Sequence, residues 1–191
     1  MKARRQSEER GAIMLEGMIV TVITLFVLVW ILGLWFVYYQ RYLTTVVTND
    51  AAAKVASTYN NPNSDIVMGY VSTEALSGRN LYRRFANDGL QGINEQRAEA
   101  YVCYILDRAN FTGVVDNVDV ELKLVMDSTL RRHVELTTTC TYSTPFGEGL
   151  EVFGMDRLHT YQVKACADCT DYADYISTVD YGYAWSSGTF T

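Results

Sequence analysis

Residues 11–39 read GAIMLEGMIVTVITLFVLVWILGLWFVYY. The 24 positions from Gly17 to Gln40 hold no charged residue. At about 1.5 Å of rise per residue, a helix over these positions measures roughly 36 Å. The hydrocarbon core of a bilayer is about 30 Å thick, so this stretch predicts a transmembrane helix that crosses with some tilt.

The charge of the chain is divided unevenly around this stretch. Residues 1–11 hold 4 basic and 2 acidic residues, a balance of +2, whereas residues 12–191 hold 12 basic and 20 acidic residues, a balance of −8. A basic flank keeps its end of a membrane helix in the cytoplasm, so the acidic remainder is expected outside. An acidic domain also disfavours nucleic acid as a partner, because such binding needs a basic face.

A cleaved secretory signal is the first alternative for this N-terminus. Such signals carry an apolar stretch of roughly 7–15 residues followed by a small-x-small cleavage site. The apolar run here is about twice that length, and no Ala-x-Ala follows it closely. Its aromatic end instead matches the outer headgroup belt of a retained span. The belt residues are Trp35, Tyr38, Tyr39 and Tyr42.

Gly11 and Glu16 stand at the start of the apolar run. In one interpretation Glu16 lies in the cytoplasmic headgroup zone and only marks where the span begins. In the other, the chain is cut after Gly11, Ala12 becomes the new N-terminus, and Glu16 is residue five of the mature protein. Its carboxylate can then pair with the free amine of a neighbouring subunit. A glycine before the cut suits an enzyme that binds extended backbone.

A basic leader, a glycine, four residues, a glutamate and a long apolar helix together form the prepilin pattern. Residues 9–56 resemble the TadE-like pseudopilins of bacterial tight-adherence (Flp) pilus systems, which share Arg-Gly, the apolar-Glu motif, and a Tyr-rich and Ala-rich continuation. This sequence departs from that pattern at Gly17, where Phe, Tyr or Ala is more frequent, and in lacking an early proline.

The resemblance implies a non-enzymatic role in building a pilus or secretion-type fibre. It implies cleavage between Gly11 and Ala12 by a prepilin peptidase, with Glu16 as the assembly carboxylate. The implied partners are the membrane, that peptidase, other pilin or pseudopilin subunits and the assembly machinery. The implied location is the bacterial cytoplasmic membrane, crossed once, with the N-terminus cytoplasmic and the C-terminal domain outside.

The chain divides into five predicted parts. They are a leader (1–11), a transmembrane helix (12–41), a helical stalk (42–60), an outer domain (61–169) and an acidic, Tyr-rich tail (170–191). Ala51, Ala52, Ala53 and Ala56 favour continuation of the helix to about Tyr59, and the Asn- and Pro-containing stretch after it predicts a break. The tail is interpreted as an acidic disordered segment or as an aromatic segment that docks on a neighbour.

The outer domain is predicted to be a small antiparallel sheet with one packed helix, which makes the whole chain α+β. Apolar residues at helical spacing predict that helix over 94–110, after a shorter one within 72–85. Alternating residues predict strands over 118–126 and 134–142. A short strand is expected at Leu150, Val152 and Phe153, and a last one over 159–165 with Tyr161 and Val163 facing inward.

The four cysteines are Cys103, Cys140, Cys166 and Cys169. An even number on the exported side predicts disulfides, and four cysteines allow three pairings that the sequence leaves open. Cys166 and Cys169 have CxxC spacing, but no βαβ pattern surrounds them, so redox chemistry is disfavoured. A four-cysteine zinc site normally uses two such pairs, and only one is present.

No catalytic residue, cofactor or metal site is predicted. His133 and His159 fit no metal or nucleophile pattern and are expected at a surface turn and a strand edge. Two alternative functions stay open. One is an uncleaved single-pass anchor that presents a disulfide-bonded binding domain. The other is an exported thiol-redox enzyme.

Overall fold

The computed structural model describes residues 2–61, 63–68, 89–109, 115–126, 131–143 and 158–169, together with the single residues 151, 154, 179, 183 and 186. The elements in this part are α1 (Lys2–Thr58), α2 (Leu90–Ala109), β1 (Val115–Met126), β2 (Arg132–Ser143) and β3 (Leu158–Asp168). A long apolar helix, an antiparallel sheet and one further helix confirm the predicted α+β layout.

Helix α1 has 57 residues and is therefore roughly 86 Å long. It begins at Lys2, ahead of the start expected at Ala12, and runs through Gly11 without interruption. A single glycine destabilises a helix by about 1 kcal/mol relative to alanine, and the hydrogen bonds of the flanking turns offset this loss. Hydroxyls within the apolar stretch also bond to the preceding turn, as Thr21 Oγ1 does to the Gly17 carbonyl at 2.8 Å.

The predicted break after α1 is confirmed. The backbone turns at residues 59–61, where the Asn61 amide bonds to the Thr58 carbonyl at 2.9 Å. The Arg97 guanidinium of α2 donates to Thr58 Oγ1 at 3.1 Å and to the Ser64 carbonyl at 2.9 Å. Asn94 Nδ2 reaches the Tyr59 carbonyl at 3.0 Å. Helix α2 therefore supplies the groups that cap the end of α1.

The three described strands form a sheet in the order β1-β2-β3, with both pairings antiparallel. Strand β2 alternates strictly between buried and less buried positions, as its period-two sequence predicts. The prediction for the last strand is also confirmed, since Tyr161 and Val163 lie on its less exposed face. That strand extends to Asp168, beyond its predicted end.

The core lies on one face of this sheet, under α2 and the C-terminal part of α1. Two tyrosines join α1 to the other layers. Tyr39 donates to the Ala109 carbonyl at 2.9 Å, and Tyr161 donates to the Val37 carbonyl at 3.4 Å. The largest fully buried apolar side chains are Tyr59, Tyr142, Leu106, Leu122, Leu136, Val55, Val102 and Val134. The predicted inward face of α2, with Ala98, Tyr101, Val102 and Leu106, is confirmed.

Three predictions concern residues outside the described part. They are the short helix within 72–85, most of the short strand at 150–153, and nearly all of the tail. The one described residue inside the predicted short strand, Glu151, is helical, and its carbonyl accepts from the Gly154 amide at 3.0 Å. The strand prediction is therefore wrong at Glu151, because a turn closes locally between these two residues. The described tail residues, Val179, Tyr183 and Ser186, are exposed.

Candidate functional site

We call residues 14–32 of α1 the free segment, because every side chain in it is exposed. These side chains are almost all apolar, and none belongs to the core. Among the described residues, α1 is the one helix long and apolar enough to cross a membrane. An apolar surface that surrounds the helix on all sides is stable only in lipid or against other apolar helices.

The predicted processing residues lie where the free segment meets the basic N-terminus. Gly11, Ala12 and Glu16 are all in α1, and Glu16 is exposed. Ala12 and Glu16 are four residues apart, so their backbone positions share one helix face. In a chain that began at Ala12, Glu16 would lie near the positive end of the helix dipole, where a carboxylate is favoured.

We call residues 40–59 the packed segment, which consists of the C-terminal part of α1 and the residue that follows it. Its buried positions recur every three or four residues and face the sheet and α2. Three polar residues open this buried stripe one turn apart, namely Gln40, Thr44 and Thr48, each at most 1% exposed. Their spacing of four is visible in the sequence, but polar residues at that spacing do not by themselves predict burial.

The central polar contact of the packed segment joins Thr44 to the sheet. Thr44 Oγ1 lies 2.8 Å from the Tyr142 hydroxyl and also donates to the Gln40 carbonyl at 2.9 Å. Neither the oxygen nor the nitrogen of the Gln40 amide has a hydrogen-bond partner among the described residues. Because a buried hydrogen bond forms only in one alignment, the Thr44–Tyr142 pair fixes how α1 sits on β2.

Cys140 lies beside this contact in the middle of β2. Its thiol is fully buried, and burial raises the pKa of Cys140 from 9.0 to about 11. Burial likewise raises the pKa of Tyr142 well above its usual value. Both groups are therefore neutral and protonated at neutral pH, which makes them packing and hydrogen-bonding groups there.

No disulfide joins the four cysteines, all of which are described. Cys140 faces the helices, Cys169 packs against the core, and Cys103 is half-buried on α2. The thiols of Cys103 and Cys140 are close enough to interact electrostatically. Cys166 points to the opposite face of the sheet, where it is exposed. The sheet itself therefore separates Cys166 from the other three, which the sequence could not reveal.

The CxxC pair lies at the end of a strand, with Cys166 inside β3 and Cys169 just after it. The Cys169 amide bonds to the Arg132 carbonyl at 2.9 Å and so continues the sheet. Burial raises the pKa of Cys166, and the carboxylates of Glu135 and Asp168 raise it further. A raised pKa leaves less thiolate at neutral pH, which is the reverse of what a thiol nucleophile needs.

The two histidines lie in strands. His133 is half-buried on the outward face of β2, and His159 lies on the less exposed face of β3, where its ring stacks on Tyr161 with centroids 6.4 Å apart. In the described ranges, no group of three or more His, Cys, Asp or Glu residues could hold a metal ion. His133 was expected at a surface turn, and the structure places it within strand β2.

Helices α1 and α2 are held together by a charged contact. Tyr101 donates to the Asp50 carboxylate and accepts from Lys54 Nζ at 2.8 Å. Burial raises the pKa of Tyr101, and its hydrogen bond to Asp50 raises it further. The hydrogen bond from the Tyr101 hydroxyl is the leading reason that the pKa of Lys54 is raised. The contact positions α2 against the packed segment and offers no open site.

Comparisons with known proteins give no relative: the chain matches no protein-family model, no curated protein and no solved structure.

Proposed function

We propose that this chain is a TadE-like pseudopilin or minor pilin that takes part in building a bacterial adherence pilus or secretion-type fibre. The observation that carries the proposal is the change of surroundings along one unbroken helix. The free segment is apolar on every side, whereas the packed segment holds a folded domain. A subunit that is first held in a bilayer and is later packed into a bundle of helices needs both an apolar helical segment and a segment that carries the folded domain.

The start of the chain supports the same function. The N-terminal end of α1 is basic, which favours a cytoplasmic end and an outer domain beyond the cytoplasmic membrane. The exposed Glu16 lies one turn from Ala12, in reach of an amine created by cleavage after Gly11. Because that bond lies within α1, the peptidase must unwind the helix locally, and Gly11 lowers the cost of doing so.

The free segment offers the apolar surface that assembly requires. Ile23, Phe26, Val27 and Trp30 line one groove at helical spacing. In lipid such a groove gains little from burial of apolar area, so helix association depends on close packing of these side chains. Other subunits with similar helices are the partners of this surface.

Mass spectrometry of the protein extracted from membranes of the native bacterium tests the processing step. The expected first residue is Ala12, and a Gly11→Val variant is expected to keep Met1, because the branched side chain hinders binding of extended backbone in the peptidase. A wild-type chain that still begins at Met1 in cells containing the peptidase would contradict the proposal and favour the uncleaved anchor.

Copurification of other pilin subunits tests the role of Glu16. Glu16→Gln is expected to abolish recovery of those subunits while leaving the protein in the membrane. Glu9→Gln is the matched control, since this second glutamate belongs to the leader and is removed by cleavage. Equal recovery with both variants would show that Glu16 only marks the start of the span.

A further inference from the structure

The stretch of α1 between the start of the proposed span and the folded domain is short. Glu16 precedes the uncharged stretch, and at Val37 the helix already contacts the domain, because the Val37 carbonyl accepts from the Tyr161 hydroxyl at 3.4 Å. We propose that the end of the domain nearest Val37 lies in the headgroup layer on the outer side of the bilayer and contacts lipid there. This inference rests on the membrane span of the proposed function.

The length of α1 from Glu16 to Val37 matches the thickness of the hydrocarbon core. Val37 follows Glu16 by 21 residues, which is about 32 Å of helix. A helix with the common tilt of about 20° then crosses roughly 30 Å of depth. The hydrocarbon core is about 30 Å thick, so Val37 lies at its outer boundary when Glu16 lies at its inner one.

The part of α1 beyond Val37 does not separate the domain from the bilayer. The stretch predicted as a stalk is packed, and its residues Leu43, Val47 and Val55 are buried under the sheet and α2. Close to Val37, the Tyr39 hydroxyl donates to the carbonyl of Ala109 at the end of α2. The domain therefore cannot move away from the bilayer unless these contacts break or apolar helix is drawn into water.

The direction of the strands identifies the end of the sheet that faces the lipid. Thr44, near the start of the packed segment, contacts Tyr142 near the end of β2. At the other end of the packed segment, the ring of Tyr59 lies 5.1 Å from the Arg132 guanidinium at the start of β2. The packed segment therefore runs antiparallel to β2, and Leu158, the first residue of β3, lies at the membrane-facing end.

The side chains at this level suit a headgroup layer. Leu158 is apolar and exposed, and Trp35 and Tyr38 of α1 are exposed aromatic residues of the kind that is enriched there. Arg41 is exposed and is the first charged residue beyond the uncharged stretch. It lies about 6 Å along the helix from Val37, and the headgroup layer is roughly 5–7 Å thick on each side. Its guanidinium can therefore reach lipid phosphates.

Photo-crosslinking of the full-length protein in phosphatidylcholine vesicles tests this contact. Benzoylphenylalanine replaces Leu158, Met126 or Phe26 in turn, and mass spectrometry counts lipid adducts. Met126 is the matched control, because it is also apolar and at a strand end, is 46% exposed against 51% for Leu158, and pairs with Arg132 at the far end of the sheet. We expect adducts at positions 158 and 26, and at least tenfold fewer at position 126.

Position 26 lies in the free segment and reports on the span itself. Adducts at position 26 without adducts at position 158 would overturn this inference and leave the span intact. A lack of adducts at position 26 would contradict the span and with it the proposed function. Equal labelling at positions 158 and 126, or products at position 158 that join two protein chains and contain no lipid, would also overturn the inference. All three residues are exposed, so the fold is expected to persist, which circular dichroism checks.

Discussion

The two segments of α1 are built from the same backbone and meet different surroundings. In the free segment every side chain is exposed, and the apolar surface continues around the helix. In the packed segment a stripe of buried residues alternates with exposed ones such as Tyr42 and Val46. The stripe contains threonines and a glutamine, whereas the free segment is almost purely apolar.

This difference shows that hydrophobicity alone does not locate the folded core of this protein. The most apolar residues of the chain contact neither the sheet nor α2, and the core under the sheet accepts buried polar groups such as Gln40 and Thr44. In water, burial of apolar area drives packing, whereas a helix in lipid gains nothing from it, and the free segment belongs to a helix long and apolar enough to cross a membrane. The domain attaches to the packed segment through buried apolar residues such as Leu43 and Val47, with the polar Thr44–Tyr142 contact among them.

The largest expected effect comes from removing the same side chain from each segment. Leu43 is 8% exposed in the packed segment, so Leu43→Ala is expected to lower the free energy of unfolding of the outer domain by about 2–5 kcal/mol. Leu28 is 51% exposed in the free segment, so Leu28→Ala is expected to change it by less than about 0.5 kcal/mol. Urea titration in detergent, followed by near-ultraviolet circular dichroism, measures both. Equal losses of unfolding free energy in the two variants would show that the two segments do not differ in their packing against the domain.

A smaller effect is expected from alkaline pH, through the thiol under the packed segment. The pKa of Cys140 is about 11 in the folded protein against 9.0 for an unperturbed thiol, so the folded state keeps a proton that the unfolded state releases. Stability is therefore full below pH 9 and falls as the pH rises toward 11, by roughly 2–3 kcal/mol.

Tyr142 and other groups also titrate at high pH. The Cys140→Ala variant separates the contribution of Cys140 to the pH dependence of stability from theirs. The difference in unfolding free energy between wild type and Cys140→Ala should shrink across the same pH window. A difference that stays constant with pH would mean that the packed segment leaves Cys140 in contact with water.

The smallest expected effect comes from two threonines that occupy equivalent positions in the two segments. Each hydroxyl bonds to the carbonyl four residues earlier, at 2.9 Å for Thr44 and 2.8 Å for Thr24, but only Thr44 also contacts Tyr142. Thr44→Val is expected to cost roughly 1–2 kcal/mol, since it weakens the hydrogen bonding of a buried hydroxyl. Thr24→Val is expected to cost less than about 0.5 kcal/mol. Similar values from the same urea titration would assign no special role to the Thr44–Tyr142 contact.

Much of the fold was predictable, because its elements have strong periodic patterns. The alternation in β1 and β2, the inward face of α2 and the break after Tyr59 are all local signals. Predictions failed where the signal was weak or absent. Nothing in residues 2–11 stops a helix, so α1 begins within the predicted leader, and the strand prediction is wrong at Glu151, the one described residue of that run.

The candidate site was less predictable. Gly11, Ala12 and Glu16 are predicted from their spacing between a basic leader and an apolar span and from the resemblance to prepilins, and their processing and assembly roles stay predictions. The disulfides were expected from the even number of cysteines. Whether two cysteines can pair depends on the face of the sheet on which each one lies, and the number of cysteines does not determine that. Cys166 and Cys140 are in neighbouring strands but on opposite faces.

The sequence by itself determined the long apolar helix, the polarity of its flanks and the alternating strands, because each depends on neighbours within a few residues. Only the tertiary structure decided the attachment of the packed segment through Thr44 and Tyr142, and the register in which β2 pairs with β3. These contacts join residues far apart in the chain. Their formation depends on strand register and sheet face, which local pattern does not encode.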